Sequence, residues 1–217
     1  MEKGMSQFSD KKPTKHKYKT LSKYLINSSN RRFHLRVSEH KEHKKITLGI
    51  SEYNLENQES KLLGVHNLDA VQTIRNVFDV MVKKMEEHKA KELEEPEPEI
   101  RKERRIINLY REQFSDKIGN LIFNYTISLR TSNDGGYFIE LILETTKLFS
   151  QAKAAKNEHK QVKLYIKGNI LQEFRDTLTE ILNIYNDVNV QKHLSKVDFY
   201  QPTIAKKAAK ESIKEQS

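Results

Sequence analysis

Two periods of apolar residues organise this chain. Phe33, Leu35 and Val37 alternate with Arg32, His34 and Arg36, and after a polar loop, Glu39 to Lys44, Ile46, Leu48 and Ile50 alternate again. A period of two marks half-buried strands, so the runs predict an antiparallel hairpin with one dry face and one wet, basic face. Tyr24 to Ile26 begins a strand ahead of them, with Asn27 to Asn30 as a kink or bulge. Beyond the polar loop Asn54 to Ser60, a third strand, Lys61 to His66, turns Leu63 and Val65 inward. The period then lengthens. Val71, Ile74, Phe78, Met81, Val82 and Met85 share one helical face, which predicts a helix from Asn67 or Asp69 to about Lys84.

The same succession returns later. Tyr125, Ile127 and Leu129 repeat Phe33, Leu35 and Val37 at an offset of 92, and Ile139, Leu141 and Leu143 repeat Ile46, Leu48 and Ile50 at an offset of 93. Between them Asn133-Asp134-Gly135-Gly136 is a hairpin turn signal, because these residues tolerate positive φ. Val162, Leu164 and Ile166 then alternate with Lys163, Tyr165 and Lys167, and Gly168 with Asn169 breaks the run. Leu171, Phe174, Leu178, Ile181, Leu182 and Tyr185 follow at helical spacing, 100 positions after the first helix and in the same phase, and Arg75 recurs as Arg175. Asn169 and Gln172 can close a capping box at the start of this helix.

Between the repeats, Glu86 to Arg105 has almost no apolar content and carries Pro96 and Pro98, which block continuous helix and leave a linker that can be helical only at its ends. Ile106, Ile107, Leu109, Tyr110 and Phe114 then fit a short amphipathic helix. The expected division is a disordered basic arm over 1–20, repeat I over 21–85, a charged linker with a short helix over 86–117, repeat II over 118–188 and a C-terminal tail over 189–217. The expected fold class is α+β: two β-sheet-plus-long-helix repeats that pack, or exchange helices, across an internal pseudo-two-fold, because one helix barely covers a small twisted sheet.

Composition narrows the function. The 217 residues, 36% of them hydrophobic, can fill one ordinary core or two small ones. Zero cysteines exclude disulfides, thiolate-bound zinc, iron–sulfur clusters and thiol chemistry. No run of about 18 apolar residues occurs, and the Lys-rich start lacks an apolar signal core, so the expectation is a soluble intracellular protein with no membrane partner. The net charge of +9 is concentrated: residues 1–45 hold 13 Lys/Arg against 4 Asp/Glu, and the remaining 26 of each cancel. A basic segment of this kind, with Lys11, Lys12, Lys15, Lys17 and Lys19 at its centre, points to a polyanion, nucleic acid before membrane, and to the nucleus or another nucleic-acid-containing compartment. The competing reading is a solvated tail kept soluble by charge.

The stretch Leu21 to Val37, LSKYLINSSNRRFHLRV, with its basic-aromatic-apolar run Arg31-Arg32-Phe33-His34-Leu35, resembles the opening of a repeat in the Pur, or purine-rich-element-binding, family. Glu173-Phe174-Arg175-Asp176 resembles that family's helix start after the last strand, and the likeness covers about residues 21 to 85 and 118 to 187. It implies a four-stranded sheet and a helix per repeat, two repeats intertwined, and binding of single-stranded DNA or RNA on the sheet face. Whirly proteins and kinetoplastid guide-RNA-binding proteins have a related layout. The family's Gly-Arg hairpin is replaced in repeat I by Glu39-His40-Lys41-Glu42-His43, and repeat II has no basic residues at its matching turn.

If the alternating apolar residues face the helices, the opposite face shows Arg32, His34, Arg36, Lys45 and Thr47 in repeat I and Ser128, Arg130, Phe138, Lys163, Tyr165 and Lys167 in repeat II. Cations interleaved with rings suit a single strand, since Lys and Arg neutralise phosphates and rings stack on bases. The candidate binding residues are Arg31, Arg32, His34, Arg36, Lys44, Lys45, Arg130, Phe138, Lys163, Tyr165 and Lys167. Glu140 and Glu144 share the second face and weaken it locally. The expectation is a non-catalytic binder of single-stranded DNA or RNA, with no cofactor, as a homodimer or part of a larger nucleoprotein assembly. The alternative is an adaptor subunit of such an assembly whose repeats mediate protein association. Glycine-rich phosphate loops, a GxSxG elbow and HExxH are missing. His40 and His43 have ligand-like spacing, but in a loop among lysines with no third ligand in view. Glu52, Glu56 and Glu59 read as a polar loop with no apolar setting to raise a pKa.

Overall fold

Alternation along the chain becomes two antiparallel sheets in a computed structural model that describes residues 17–94, 106–132, 135–148 and 158–188. Strands β1 (Tyr18–Asn27), β2 (Arg31–His40), β3 (Ile46–Asn54) and β4 (Ser60–Val65) form the first, paired in chain order. Strands β5 (Asn108–Ile118), β6 (Leu121–Thr131), β7 (Tyr137–Lys147) and β8 (Glu158–Lys167) form the second, also in chain order. Helix α1 (Leu68–Glu94) follows the first sheet, and α2, spanning 171–188, follows the second after a 3-10 turn, Gly168–Ile170. The fold is α+β, with two sheet-plus-helix units.

One face of each sheet is dry because period-two side chains cannot face both ways. Phe33, Leu35, Val37, Leu48, Ile50, Leu63 and Val65 are fully buried, as are Ile127, Leu129, Ile139, Leu141, Leu164 and Ile166. The helical stripes from Val71 to Met85 and from Leu171 to Tyr185 join them in one core cluster.

The helices close that core by crossing between repeats. Phe174 of α2 packs edge-on to Phe33 of the first sheet at 5.5 Å and stacks on Phe78 of α1 at 5.6 Å. In return, α1 packs against β5 and β6, and its His88 meets Tyr137 of β7 at 5.8 Å. Arg75 Nε donates to Thr179 Oγ1 at 3.1 Å, and Arg175 Nη1 donates to Asp79 Oδ1 at 3.5 Å. Thr179 stands 100 positions after Asp79 as Arg175 does after Arg75, so the two contacts interchange. That reciprocity is the signature of a two-fold relation, here within one chain.

Several local readings are corrected. The predicted helix around Ile106 to Phe114 is strand β5 instead. Its inward register, Tyr110, Glu112, Phe114, Asp116 and Ile118, contains two acids, so its apolar residues do not alternate. Phe114 stacks on Tyr125 at 4.7 Å, while one oxygen of each acid has a partner: Asp116 Oδ1 accepts from Asn67 Nδ2 at 3.3 Å and Glu112 from Tyr110 OH at 2.9 Å. Asn27 to Asn30 is no kink but a chain reversal, closed by Ser28 N–H to Arg31 O at 2.8 Å, and β1 reaches back to Tyr18, into the segment expected to be disordered. Helix α1 continues past Lys84 to Glu94. Its extension carries the within-helix pairs Lys84–Glu87 and His88–Glu92, and Tyr137 OH of the second sheet donates to Glu92 at 2.8 Å, so polar contacts along the helix and to β7 stand where an apolar face is missing. The expected capping box gives way to the 3-10 turn, whose N-cap Lys167 makes no side-chain cap. The rest of the basic arm, the two linker prolines and the C-terminal tail lie outside the described residues.

Candidate nucleic-acid interface

The outer face of the first sheet is set by register. Three rows run across its four strands: Lys23, Arg36, Gly49 and Gly64; Leu25, His34, Ser51 and Leu62; Asn27, Arg32, Tyr53 and Ser60. Arg32, His34 and Arg36 therefore stand in line on β2, about 13 Å from first to last at strand rise, and all three are exposed. The rows contain no carboxylate, and among the described residues no ion pair engages Lys23, Arg32 or Arg36. Leu25 and Leu62 flank His34 and Ser51 and are 51% and 58% exposed, so apolar surface lies beside the charge. At Gly49 an added Cβ would meet nothing closer than Leu62 Cδ1 at 3.5 Å, which leaves a side-chain-free floor next to Arg36. Lys44 and Lys45 sit at the β2–β3 turn, at one end of this face, where Lys44 takes φ 53°.

Lys23, Leu25, Tyr53 and Leu62 belong to this face but do not show in the apolar pattern. Two of them are apolar residues pointing outward, and β1 carries a register shift between Thr20 and Ser22 that breaks its alternation.

The outer face of the second sheet is different. Glu140 is buried on it and pairs with Arg130 Nη2 and Lys163 Nζ, each at 3.1 Å. The hydrogen bond to Glu140 holds the Lys163 ammonium above the usual lysine pKa. Glu144 accepts from Gln161 at 2.9 Å. Arg130 and Lys163, both candidates from the sequence, are thus bound to an internal acid.

Between the sheets the remaining candidates converge. Arg31 has inward register, not outward, and forms an ion pair with Glu52. Glu52 is not a loop residue: it lies on β3, is 2% exposed, and its second oxygen accepts the backbone N–H of Tyr165 at 3.0 Å. The Arg31 guanidinium carbon is 5.4 Å from the centre of the Tyr165 ring, and Lys61 Nζ is 5.8 Å from it. Three strands of the first sheet therefore grip one residue on the edge of the second. Arg31, Phe138, Tyr165 and Lys167 together line a cleft of about 480 Å³.

One further cluster holds ligand-type atoms. His40, Glu42 and His43 bring theirs within 4.8 Å of one another, so Glu42 supplies the third group that the sequence did not reveal. The two rings stack at 4.6 Å, and His40 Nδ1 accepts backbone N–H groups of Glu42 at 3.3 Å and His43 at 3.2 Å. Those bonds make His40 the closing element of the turn.

Comparison of the chain with protein-family models and with curated proteins finds no match.

Proposed function

We propose that this chain is a non-catalytic binder of single-stranded DNA or RNA, a Pur- or Whirly-like arrangement in which the outer face of the first sheet holds the strand. The observation that carries this reading is the carboxylate-free run Arg32, His34 and Arg36, with Lys23 alongside and Tyr53, Leu25 and Leu62 around it. Cations there can neutralise phosphates while the ring and apolar side chains accept bases, and such binding is salt-sensitive because it releases counterions. Fluorescence anisotropy with single-stranded oligonucleotides over a range of salt tests it. Affinity that falls with salt and collapses in Arg32→Glu/Arg36→Glu supports the proposal; wild-type affinity in that variant overturns it.

The exposure of Leu25 and Leu62 favours a second reading, an adaptor whose face receives a protein. Under it, Leu25→Ser/Leu62→Ser dissociates an assembly seen by light scattering and leaves oligonucleotide affinity unchanged.

A further inference from the structure

We infer that the cleft between the sheets is a subsite for one unpaired nucleotide, with its base against Phe138 and its phosphate on Lys167; this rests on the single-strand reading above. The cleft, about 480 Å³, is bounded by Arg31, Phe138, Tyr165, Lys167, Gly168 and Asn169, and among the described residues no carboxylate lines it. Its size falls within the range of small-ligand pockets. Phe138 and Lys167 are directly opposite on β7 and β8, so a ring and an ammonium stand side by side, within the reach of a base and its own phosphate.

Each wall has a distinct part. Phe138 and Tyr165 lie 6.2 Å apart with their planes tilted by 52°, so neither ring closes the face of the other. Arg31 is held by Glu52 and faces Tyr165, which makes it a fixed cationic wall. Lys167 Nζ donates to Ser29 Oγ at 2.7 Å, a bond that aims the ammonium and leaves two of its protons for an anion. Gly168 and Asn169 stand in the turn that opens α2, and a helix N-terminus adds to the pull on a phosphate.

Two measurements on the full chain test the subsite. In the first, aromatic resonances of protein labelled at Phe and Tyr are followed during titration with a nucleoside 5′-monophosphate and, separately, with inorganic phosphate. The nucleotide is expected to shift the Phe138 and Tyr165 rings saturably, whereas phosphate alone leaves them in place. In the second, Phe138→Ala and Phe138→Leu are expected to weaken single-strand binding about 5- to 150-fold, the loss of one stacked base, with Lys167→Gln also weakened and all three folded by circular dichroism. Rings unmoved by the nucleotide overturn the inference. So does wild-type oligonucleotide affinity in the Phe138 and Lys167 variants while Arg36→Glu loses it, and that result leaves the sheet-face reading standing. A chain that takes the mononucleotide but no oligonucleotide supports the subsite and sinks the single-strand reading.

Discussion

Glu52 on β3 accepts the backbone N–H of Tyr165 on β8 at 3.0 Å, so a buried carboxylate of one sheet satisfies the edge strand of the other. The same carboxylate pairs with Arg31, and removing it strands a partly buried guanidinium and an orphan amide together. Breaking a buried pair from one side costs about 3 kcal/mol or more. Glu52→Ala is therefore expected to lower the urea midpoint sharply, and Glu52→Gln, which keeps an acceptor, to lower it less. Equal midpoints for wild type and Glu52→Ala would refute the clasp as a source of stability.

Gly168 is required for space. A Cβ there would lie 2.8 Å from Tyr137 Cβ, 3.0 Å from its carbonyl oxygen and 3.1 Å from Met85 Sδ, all at the junction of α1, β7 and α2. Overpacking of this kind costs about 1–3 kcal/mol. Gly168→Ala should melt lower by that margin, whereas Gly49→Ala, with its nearest neighbour at 3.5 Å, should melt like the wild type. A harmless Gly168→Ala would count against the tight junction.

His66 makes stability depend on pH. Burial, with Lys45 adding and Asp116 opposing, lowers its pKa below the ordinary 6.5. The unfolded chain then takes up the proton first, so the stability supplied by neutral His66 is complete above 6.5 and is lost as pH falls below that value toward the folded-state pKa. Melting temperatures at about pH 7.5 and about pH 5.5 should fall further apart in the wild type than in His66→Gln. An identical gap in both proteins would assign the pH dependence to other groups.

The two sheet faces should differ in their share of binding. Arg32 and Arg36 have no ion-pair partner among the described residues, whereas Lys163 is held by Glu140. Each phosphate contact on a single strand adds about 0.7 to the salt slope. Arg32→Ala/Arg36→Ala should reduce the slope of log K against log salt by about 1.4, and Lys163→Ala should leave it nearly unchanged. Equal reductions would place phosphates on both sheets.

The repeat, the inward sets of six of the eight strands and both helical stripes were legible in the sequence, because alternation and helical spacing are local and a buried face must be apolar. Strand β5 was not legible, since Glu112 and Asp116 on its inward register are tolerated only through partners that include Asn67, distant in the chain. The candidate site was half legible. Arg32, His34 and Arg36 follow from the parity of β2 alone, and their exposure is settled once Phe33, Leu35 and Val37 are buried.

What only the tertiary structure decided is which charges remain available. Arg130 and Lys163 look as accessible in the sequence as Arg32 and Arg36, but a carboxylate on β7, the strand between them, holds both. Arg31 looks like the first cation of a basic run and is instead turned inward to Glu52, beside a tyrosine 134 positions away. The chain by itself determines the parity of each residue within its own strand; the pairing of charges depends on how strands and sheets meet, and that is set by the crossing of the two helices through a shared core.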